Sequence, residues 1–356
     1  MASLNVPSQV PSVEEDCEKL QKAFSGWITD KACIVSILAH RNTMQRSLIR
    51  QTYAETYGHD LLKSLDDALS GDFERAVLMW TQNPTERDAL LANEAIRKGN
   101  VGHCILMEIA CTRSSRDLFQ VREDYHVYFK RSLLEDVAHH TNGDFRKILV
   151  PLLMAHRYEG LEVNMTLATS EAKILHDKII EKTYNHEELI RILTTRSKAQ
   201  LSATFNQYND LYGSFINKNL KHNPKDQYLA FLRATIKCLT FPEKYFEKVL
   251  RLSMKGLGTD EESLTRVVVT RAEVDMEYIK EEYHKRNNVT LDSDIKGDTS
   301  GDYQRMLLAL IVDFGGQERN RRKSNEHGHV TDKGEGMECL KHNNGGDYDD
   351  DNGGVY

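Results

Sequence analysis

Apolar residues along this chain recur at helical spacing. Ile34, Ile37 and Leu38 fall on one face of a turn, and Leu48 and Ile49 continue the pattern further on. That i, i+3, i+4 rhythm marks amphipathic helices that bury one stripe. No clean alternation of period two appears, and prolines number only 6. Thr141-x-x-Asp144 and Thr299-x-x-Asp302 resemble N-terminal capping boxes ahead of the apolar runs KILVPLLM and QRMLLALI. The pattern predicts an all-α fold of many short helices.

The same pattern returns four times. ILAHRN, IACTRS, ILTTRS and VVVTRA place Arg41, Arg113, Arg196 and Arg271 at spacings of 72, 83 and 75 residues. A tyrosine follows 12 residues after each arginine: Tyr53, Tyr125, Tyr208 and Tyr283. The aromatic residues of LSGDF, TNGDF, PKDQY and TSGDY (Phe73, Phe145, Tyr228 and Tyr303) keep the same register. Three anchors in step define an internal repeat, with units expected at 8–84, 85–156, 168–242 and 243–314. The wider second spacing places an extra linker, roughly RYEGLEVNMTLAT, between the second and third units. The anchored arginines, tyrosines and GD pairs read as structural: packing, hydrogen bonds and caps. From about Gly315 the chain turns to Gly, Asn and charge with little to bury, so 315–356 reads as a disordered acidic tail. Its DYDDDNGG is similar to the start of an EF-hand, but the glycine is misplaced and no twelfth-position glutamate follows.

Two stretches in equivalent positions differ in a telling way. MKGLGTD in the fourth unit carries Gly256 and Gly258, whereas FSGWITD in the first carries Gly26 and Ile28. Calcium takes six to eight hard oxygens, and backbone carbonyls plus one carboxylate can provide most of them. Carbonyls turn toward one point only where the chain bends sharply, which glycine tolerates. Counting 39 residues on from Thr259 reaches Asp298, the first residue of a DTSGDY loop. A glycine pair coupled to an acid at that separation within a repeat is a calcium-site signature.

With MKGLGT, the spaced acid, GDTSGDY and four units of this length, the chain resembles the annexins from about Pro7 to Val312. ILAHRN, YAETYG, LLANEAIRKG, DVAHHTNGDFRK and FEKVLRLSMKG are similar to plant annexins in particular. The resemblance implies a curved disc of four homologous five-helix repeats, with calcium loops on the convex face that bridge to phospholipid. It implies carbonyl ligands to Ca2+ at Met254, Gly256 and Gly258 and a carboxylate ligand at Asp298, with Lys255 and Leu257 at the loop tip touching lipid. By register, the positions of Gly258 and Asp298 fall on Ile28 and Ala68 in the first unit. The positions of Thr259 and Asp298 fall on Val101 and His140 in the second, and on Tyr184 and Asn223 in the third. The fourth loop is therefore the one expected to be intact. The first, which in plant annexins usually reads G-W-G-T with a glutamate, is expected to be dead or very weak. Trp27 remains there, either as a lipid contact suited to the membrane interface or as a partly buried packing residue.

Charge decides between mechanisms. A formal net charge of −7 argues against nucleic acid and against spontaneous attraction to anionic lipid, so a divalent ion has to stand between protein and membrane. The 6 cysteines have no CxxC spacing, the opening MASLNVPSQV does not read as a secretory signal, and the apolar runs are far short of membrane length. A cytoplasmic protein, peripheral at anionic membranes when calcium rises, is the expectation. The resemblance also brings alternatives from other classes. His40 lies in the segment linked with peroxidase activity in plant annexins. Nucleotide hydrolysis lacks any GxxxxGK[ST] loop. Met107, Cys111 and Cys238 look like a sulfur cluster described in the family, a possible redox centre or plain core filling. Ile190-Arg191-Ile192 resembles a segment proposed for F-actin binding, and a calcium-permeable channel role is also attributed to annexins.

Overall fold

The computed structural model describes residues 1–4, 6–7, 9–154, 157–220, 226–256 and 258–311. Among these the regular structure is entirely helical, in four groups of five α-helices. The first unit holds α1 (Val13–Ser25), α2 (Lys31–Leu38), α3 (Thr43–Tyr57), α4 (Leu61–Ala68) and α5 (Gly71–Thr81). The second holds α6 (Pro84–Arg97), α7 (His103–Thr112), α8 (Ser115–Phe129), α9 (Leu133–His140) and α10 (Gly143–Leu153), with a 3-10 turn, Gly99–Gly102, before α7. The third holds α11 (Met165–Ile180), α12 (Glu187–Thr195), α13 (Lys198–Tyr212), α14 (Ile216–Asn219) and α15 (Gln227–Thr240). The fourth holds α16 (Pro242–Ser253), α17 (Glu261–Arg271), α18 (Met276–Asn287), α19 (Leu291–Asp298) and α20 (Gly301–Ile311). The tail, 315–356, lies outside the described residues.

The repeated anchors are the fold's fasteners. Arg41 reaches back to Asp16 on α1, Nε to Oδ2 at 2.7 Å and a terminal nitrogen to Oδ1 at 2.8 Å. Arg113 grips Asp88 on α6 in the same two-pronged way, and Arg196 grips Glu171 on α11. In each the acid lies 25 residues before the arginine. The fourth unit departs, since Phe246 occupies the acid's position. Arg271 instead stacks over the Phe246 ring at 4.6 Å and turns to Asp275, four residues on.

Each anchored tyrosine places its hydroxyl beside the short fourth helix of its unit. Tyr53 donates to Gln21 at 2.5 Å and faces Ser64 at 3.4 Å; Tyr125 accepts from Asn93 and donates to Asp136. Tyr208 accepts from Asn219, and Tyr283 donates to Asp294 at 2.6 Å. The fourth-helix partner stands 11 residues on in every case. Burial pushes all four phenols above their ordinary range, so they stay protonated and able to donate.

Units pair across two seams. The second and fifth helices of unit one, α2 and α5, pack on α17 and α20 of unit four; α7 and α10 pack on α15 and α12 of unit three. Glu273, just past α17, accepts from Thr43 N at 2.7 Å, Thr43 Oγ1 at 2.6 Å and Arg46 at 2.9 Å. Burial alone would raise the Glu273 carboxyl, but the Arg46 guanidinium and the Thr43 donors outweigh it and hold it below the usual range. Arg46 in turn lies 3.7 Å over the buried Trp80 ring.

Two local expectations are corrected. Thr141 and Thr299 do not cap the helices ahead of them. Their hydroxyls donate backward, to Val137 O at 2.6 Å and Ile295 O at 2.6 Å, closing α9 and α19 instead. The left-handed Gly143 and Gly301 that follow turn the chain at the first residue of α10 and of α20. The linker RYEGLEVNMTLAT is also shorter than expected, because Asn164 accepts from Leu167 N and starts α11 at Met165.

The anchors make a stability prediction. Asp16→Ala should cost about 3–5 kcal/mol, because it leaves the Arg41 charge buried without its partner. The double change Asp16→Leu with Arg41→Met should cost far less, since neither charge remains. Urea unfolding of the two variants and the parent checks both figures.

Candidate functional site

The loop from α16 to α17 is built on glycine. Ser253 ends α16 and Met254 caps it, buried, after which Gly256 and Gly258 take φ of +125° and +94°. A Cβ at either glycine would meet no heavy atom within 4 Å. The requirement is therefore one of backbone conformation, not of space. The loop is stapled at its base, where Asp260 N donates to Ser253 O at 2.7 Å. Asp260 then caps α17 by accepting from Ser263 N at 3.1 Å. Lys255 is exposed at the tip. Leu257 lies outside the described residues.

Asp298 comes to this loop from the last residue of α19 and is exposed. Thr259 Oγ1 donates to Asp298 O at 3.1 Å, which fastens the glycine loop to the segment that bears the carboxylate. Gln304 Nε2 donates to Thr299 O at 2.5 Å and to Lys296 O at 3.1 Å, holding the turn beyond it. The result is an exposed loop with two left-handed glycines, fastened to the segment that bears the Asp298 carboxylate. Among the described residues no three His, Cys, Asp or Glu side chains stand together as a metal group. A cation here has to be held largely by carbonyl oxygens, and the donor set fits a hard ion such as Ca2+ rather than a nitrogen- or sulfur-seeking metal.

The first unit keeps the frame and lacks both the glycine bends and the carboxylate. Asp30 N donates to Ala23 O at 3.0 Å, and Thr29 Oγ1 donates to Ala68 O at 3.4 Å, matching the staple and tie of the fourth unit. Yet Gly26 sits at φ −81° and Ile28 is not left-handed, so neither residue bends the chain as Gly256 and Gly258 do. Ala68 offers a methyl where Asp298 offers a carboxylate. Trp27 and Ile28 project fully into solvent, so Trp27 is not a packing residue. Lys31 at the start of α2 stands 3.9 Å from Asp302 at the start of α20, which puts the Trp27 loop and the Asp298 turn at the same end of the seam.

The other two loops are closed differently. In the second unit the 3-10 turn Gly99–Gly102 replaces the bulge. Gly102 approaches α6 so closely that a Cβ would lie 1.9 Å from Ala95 O. His140, at the acid's position, is bonded through Nδ1 to Asp136 O at 2.8 Å. In the third unit Lys182 is left-handed at φ +57°, and Asn223 lies outside the described residues.

The remaining candidates are scattered. Met107, Cys111 and Cys238 are all buried, and Cys238 hydrogen-bonds Cys111. Burial, reinforced by the Cys111 neighbour, holds the Cys238 thiol well above its usual range. Ile190 and Ile192 are core residues, and Arg191 between them bonds Glu188 at 2.7 Å. His40 is half-buried in the turn after α2. Among the described residues no helix is long and apolar enough to cross a membrane. The threonine ties were missed in the sequence. Thr29-Asp30 and Thr259-Asp260 were visible as aligned pairs, but nothing in the pairs themselves shows that the hydroxyl bonds a carbonyl 39 residues on.

Comparison with known proteins meets the same repeat. The family model described as Annexin matches residues 15–80, 87–152, 170–234 and 245–310. Annexin D2 of Arabidopsis thaliana is 60% identical over 312 residues, covering 87% of this chain and 98% of its own. Among solved structures, annexin III superposes with a TM-score of 0.82 at 33% identity, over 88% of this chain and 97% of its own. A calcium-bound annexin (Sm)1 superposes with a TM-score of 0.75 at 27% identity, over 85% and 90%.

The chain has 2 tryptophans, and they are opposites: Trp80 is fully buried, with its Nε1 donating to Leu38 O at 2.7 Å, while Trp27 is bare. Acrylamide should quench most of the accessible emission in the parent. In Trp27→Phe the remaining emission should be blue-shifted and nearly unquenched.

Proposed function

This chain belongs to the annexin family, and on that premise we propose that it engages phospholipid surfaces through one calcium loop, that of the fourth unit. Calcium-dependent membrane binding is the general property of the family. The finer reading rests on one observation: a loop with two left-handed glycines is fastened by Thr259 to the segment that carries Asp298. In this reading Met254, Gly256 and Gly258 present carbonyls, and Asp298 presents the charged ligand. Calcium held there supplies a divalent charge with coordination positions open to headgroup phosphate oxygens. In the same reading Lys255 and, on the family pattern alone, Leu257 contact the headgroups, and Trp27 reaches the interface from the same end of the seam.

The chemistry explains why an ion is needed. A protein of net charge −7 is repelled by anionic lipid. The carboxylate of Asp298 and the loop carbonyls add local negative potential until a cation fills them. A relative solved with calcium bound supports the ion's identity. The protein's own work is to hold the loop open, orient Asp298 through the Thr259 tie, and expose the tip.

Co-sedimentation with phosphatidylserine-containing vesicles over a calcium series tests the assignment. Asp298→Ala removes the site's only first-rank charge and should raise the half-maximal calcium by on the order of tenfold or more. A variant that pellets like the parent overturns the site. The inverse experiment rebuilds the first unit. Ile28→Gly with Ala68→Asp restores both missing parts on an intact frame, and should lower the half-maximal calcium because two loops then bind one surface.

A further inference from the structure

The calcium loop's two halves ride on two different helices. The glycine loop runs into the N-terminus of α17, and the Asp298 turn runs into the N-terminus of α20. These helices, each 11 residues long, lie against each other with their N-termini at the loop end. Three sets of hydrogen bonds hold them in register. Thr259 Oγ1 to Asp298 O joins the loops themselves. One turn in, Tyr303 OH pairs with Thr265 Oγ1 at 2.8 Å and donates to Glu261 O at 3.2 Å. At the far end, about 16 Å away by helical rise, the tie comes from the other end of the chain. The Ser3 N–H donates to Ala272 O at 2.9 Å, just past α17, and the Ser3 hydroxyl donates to Leu310 O at 2.7 Å in the last turn of α20. Ser3 is buried, only 2% exposed, and Met1 O accepts from Glu277 N at 3.1 Å, holding the strand down on α18.

The first unit shows what this far tie replaces. There the buried Trp80 of α5 donates its Nε1 to Leu38 O at the end of α2, joining the equivalent two helices from within. Leu310 occupies the position of Trp80 in the fourth unit and has no such donor. Ser3 makes the connection instead, its N–H on Ala272 O and its hydroxyl shared between Leu310 O at 2.7 Å and Ala272 O at 3.3 Å.

We propose that Ser3 is a positioning residue for the calcium loop: by clamping the far ends of α17 and α20 it fixes the separation of the glycine loop from Asp298, and so sets calcium affinity at a site it does not touch. This rests on the assignment of the calcium site above. The physical reason is leverage. Two helices joined at the tip and pivoting on Tyr303 splay at one end when released at the other. An ion held at bond lengths of about 2.3–2.6 Å tolerates little change in ligand spacing.

The test uses the full chain on phosphatidylserine and phosphatidylcholine vesicles, with the parent, Ser3→Ala, a form lacking residues 1–4, and Asp298→Ala side by side. Ser3→Ala should raise the half-maximal calcium about threefold, the scale of one ordinary hydrogen bond. Loss of residues 1–4 should raise it at least as much. Both should reach the parent's plateau of bound protein at saturating calcium. The thermal midpoint without calcium is read in parallel. If that midpoint falls while the half-maximal calcium stays at the parent's value, Ser3 is only a structural fastener and the proposal is overturned. If Asp298→Ala shifts calcium dependence and neither Ser3 variant does, the proposal alone fails and the site stands. If Asp298→Ala shifts nothing, the site assignment fails and the proposal falls with it.

Discussion

The buried arginine–carboxylate pair is the constraint on which the repeat is organised. Arg41 to Asp16, Arg113 to Asp88 and Arg196 to Glu171 each join the end of a unit's second helix to the early part of its first. A buried charge that loses its partner is costly, so the pair fixes which turn of one helix meets which end of the other. In the first unit this lock lies at the opposite end of the α1–α2 hairpin from the loop, and the loop has a separate staple of its own in Asp30 N to Ala23 O. A hairpin locked at one end and stapled at the other holds its shape whatever the loop between contains. The first unit carries its bare tryptophan tip on that frame, whereas the fourth unit, which lacks the arginine–carboxylate lock, keeps only the staple beneath its glycine loop.

The fourth unit is fastened least like the others. Phe246 removes the acid that Arg271 would grip, and the arginine settles for a ring face and a partner four residues on. The compensating ties come from outside the hairpin. Ser3 holds the ends of α17 and α20, Lys280 Nζ closes Ile311 O at 2.8 Å, and Glu273 gathers Thr43 and Arg46 from the first unit. An internal lock determined by two residues is thereby replaced by a set of contacts spread over the N-terminal strand and the neighbouring unit. The geometry of the fourth loop then depends on how those neighbours are seated.

Much of this was legible in sequence because it was periodic. The arginine, tyrosine and aromatic registers exposed the repeat, and an absent glycine and acid at matched positions set the first loop apart from the fourth. What stayed hidden was non-periodic or directional. Thr141 and Thr299 have capping-box spacing, but a hydroxyl can donate to the preceding turn as readily as it can accept from the next, and here both donate backward. Gly26 survives in the sequence of the first loop, yet its backbone is extended. A retained glycine says that a left-handed bend is permitted, not that one is made. The acids that answer the anchored arginines sit at a fixed 25-residue interval. The interval is masked in the sequence because the third acid is a glutamate and the fourth position holds a phenylalanine.

The two unequal loops of the seam make sense together. Lys31 beside Asp302 sets the Trp27 tip at the same end of the packed units as the Asp298 turn. On the reading proposed above, the fourth loop makes the contact that net charge opposes, by placing a divalent ion between carboxylate and headgroup. A tryptophan at the same level needs no ion. Its ring prefers the headgroup region on its own account, but that preference acts over contact distance, whereas repulsion from an anionic surface is felt out to a Debye length, about 8 Å at physiological salt. The order of events follows from those ranges. The calcium loop has to overcome the repulsion first, and only then can Trp27 reach the interface and hold.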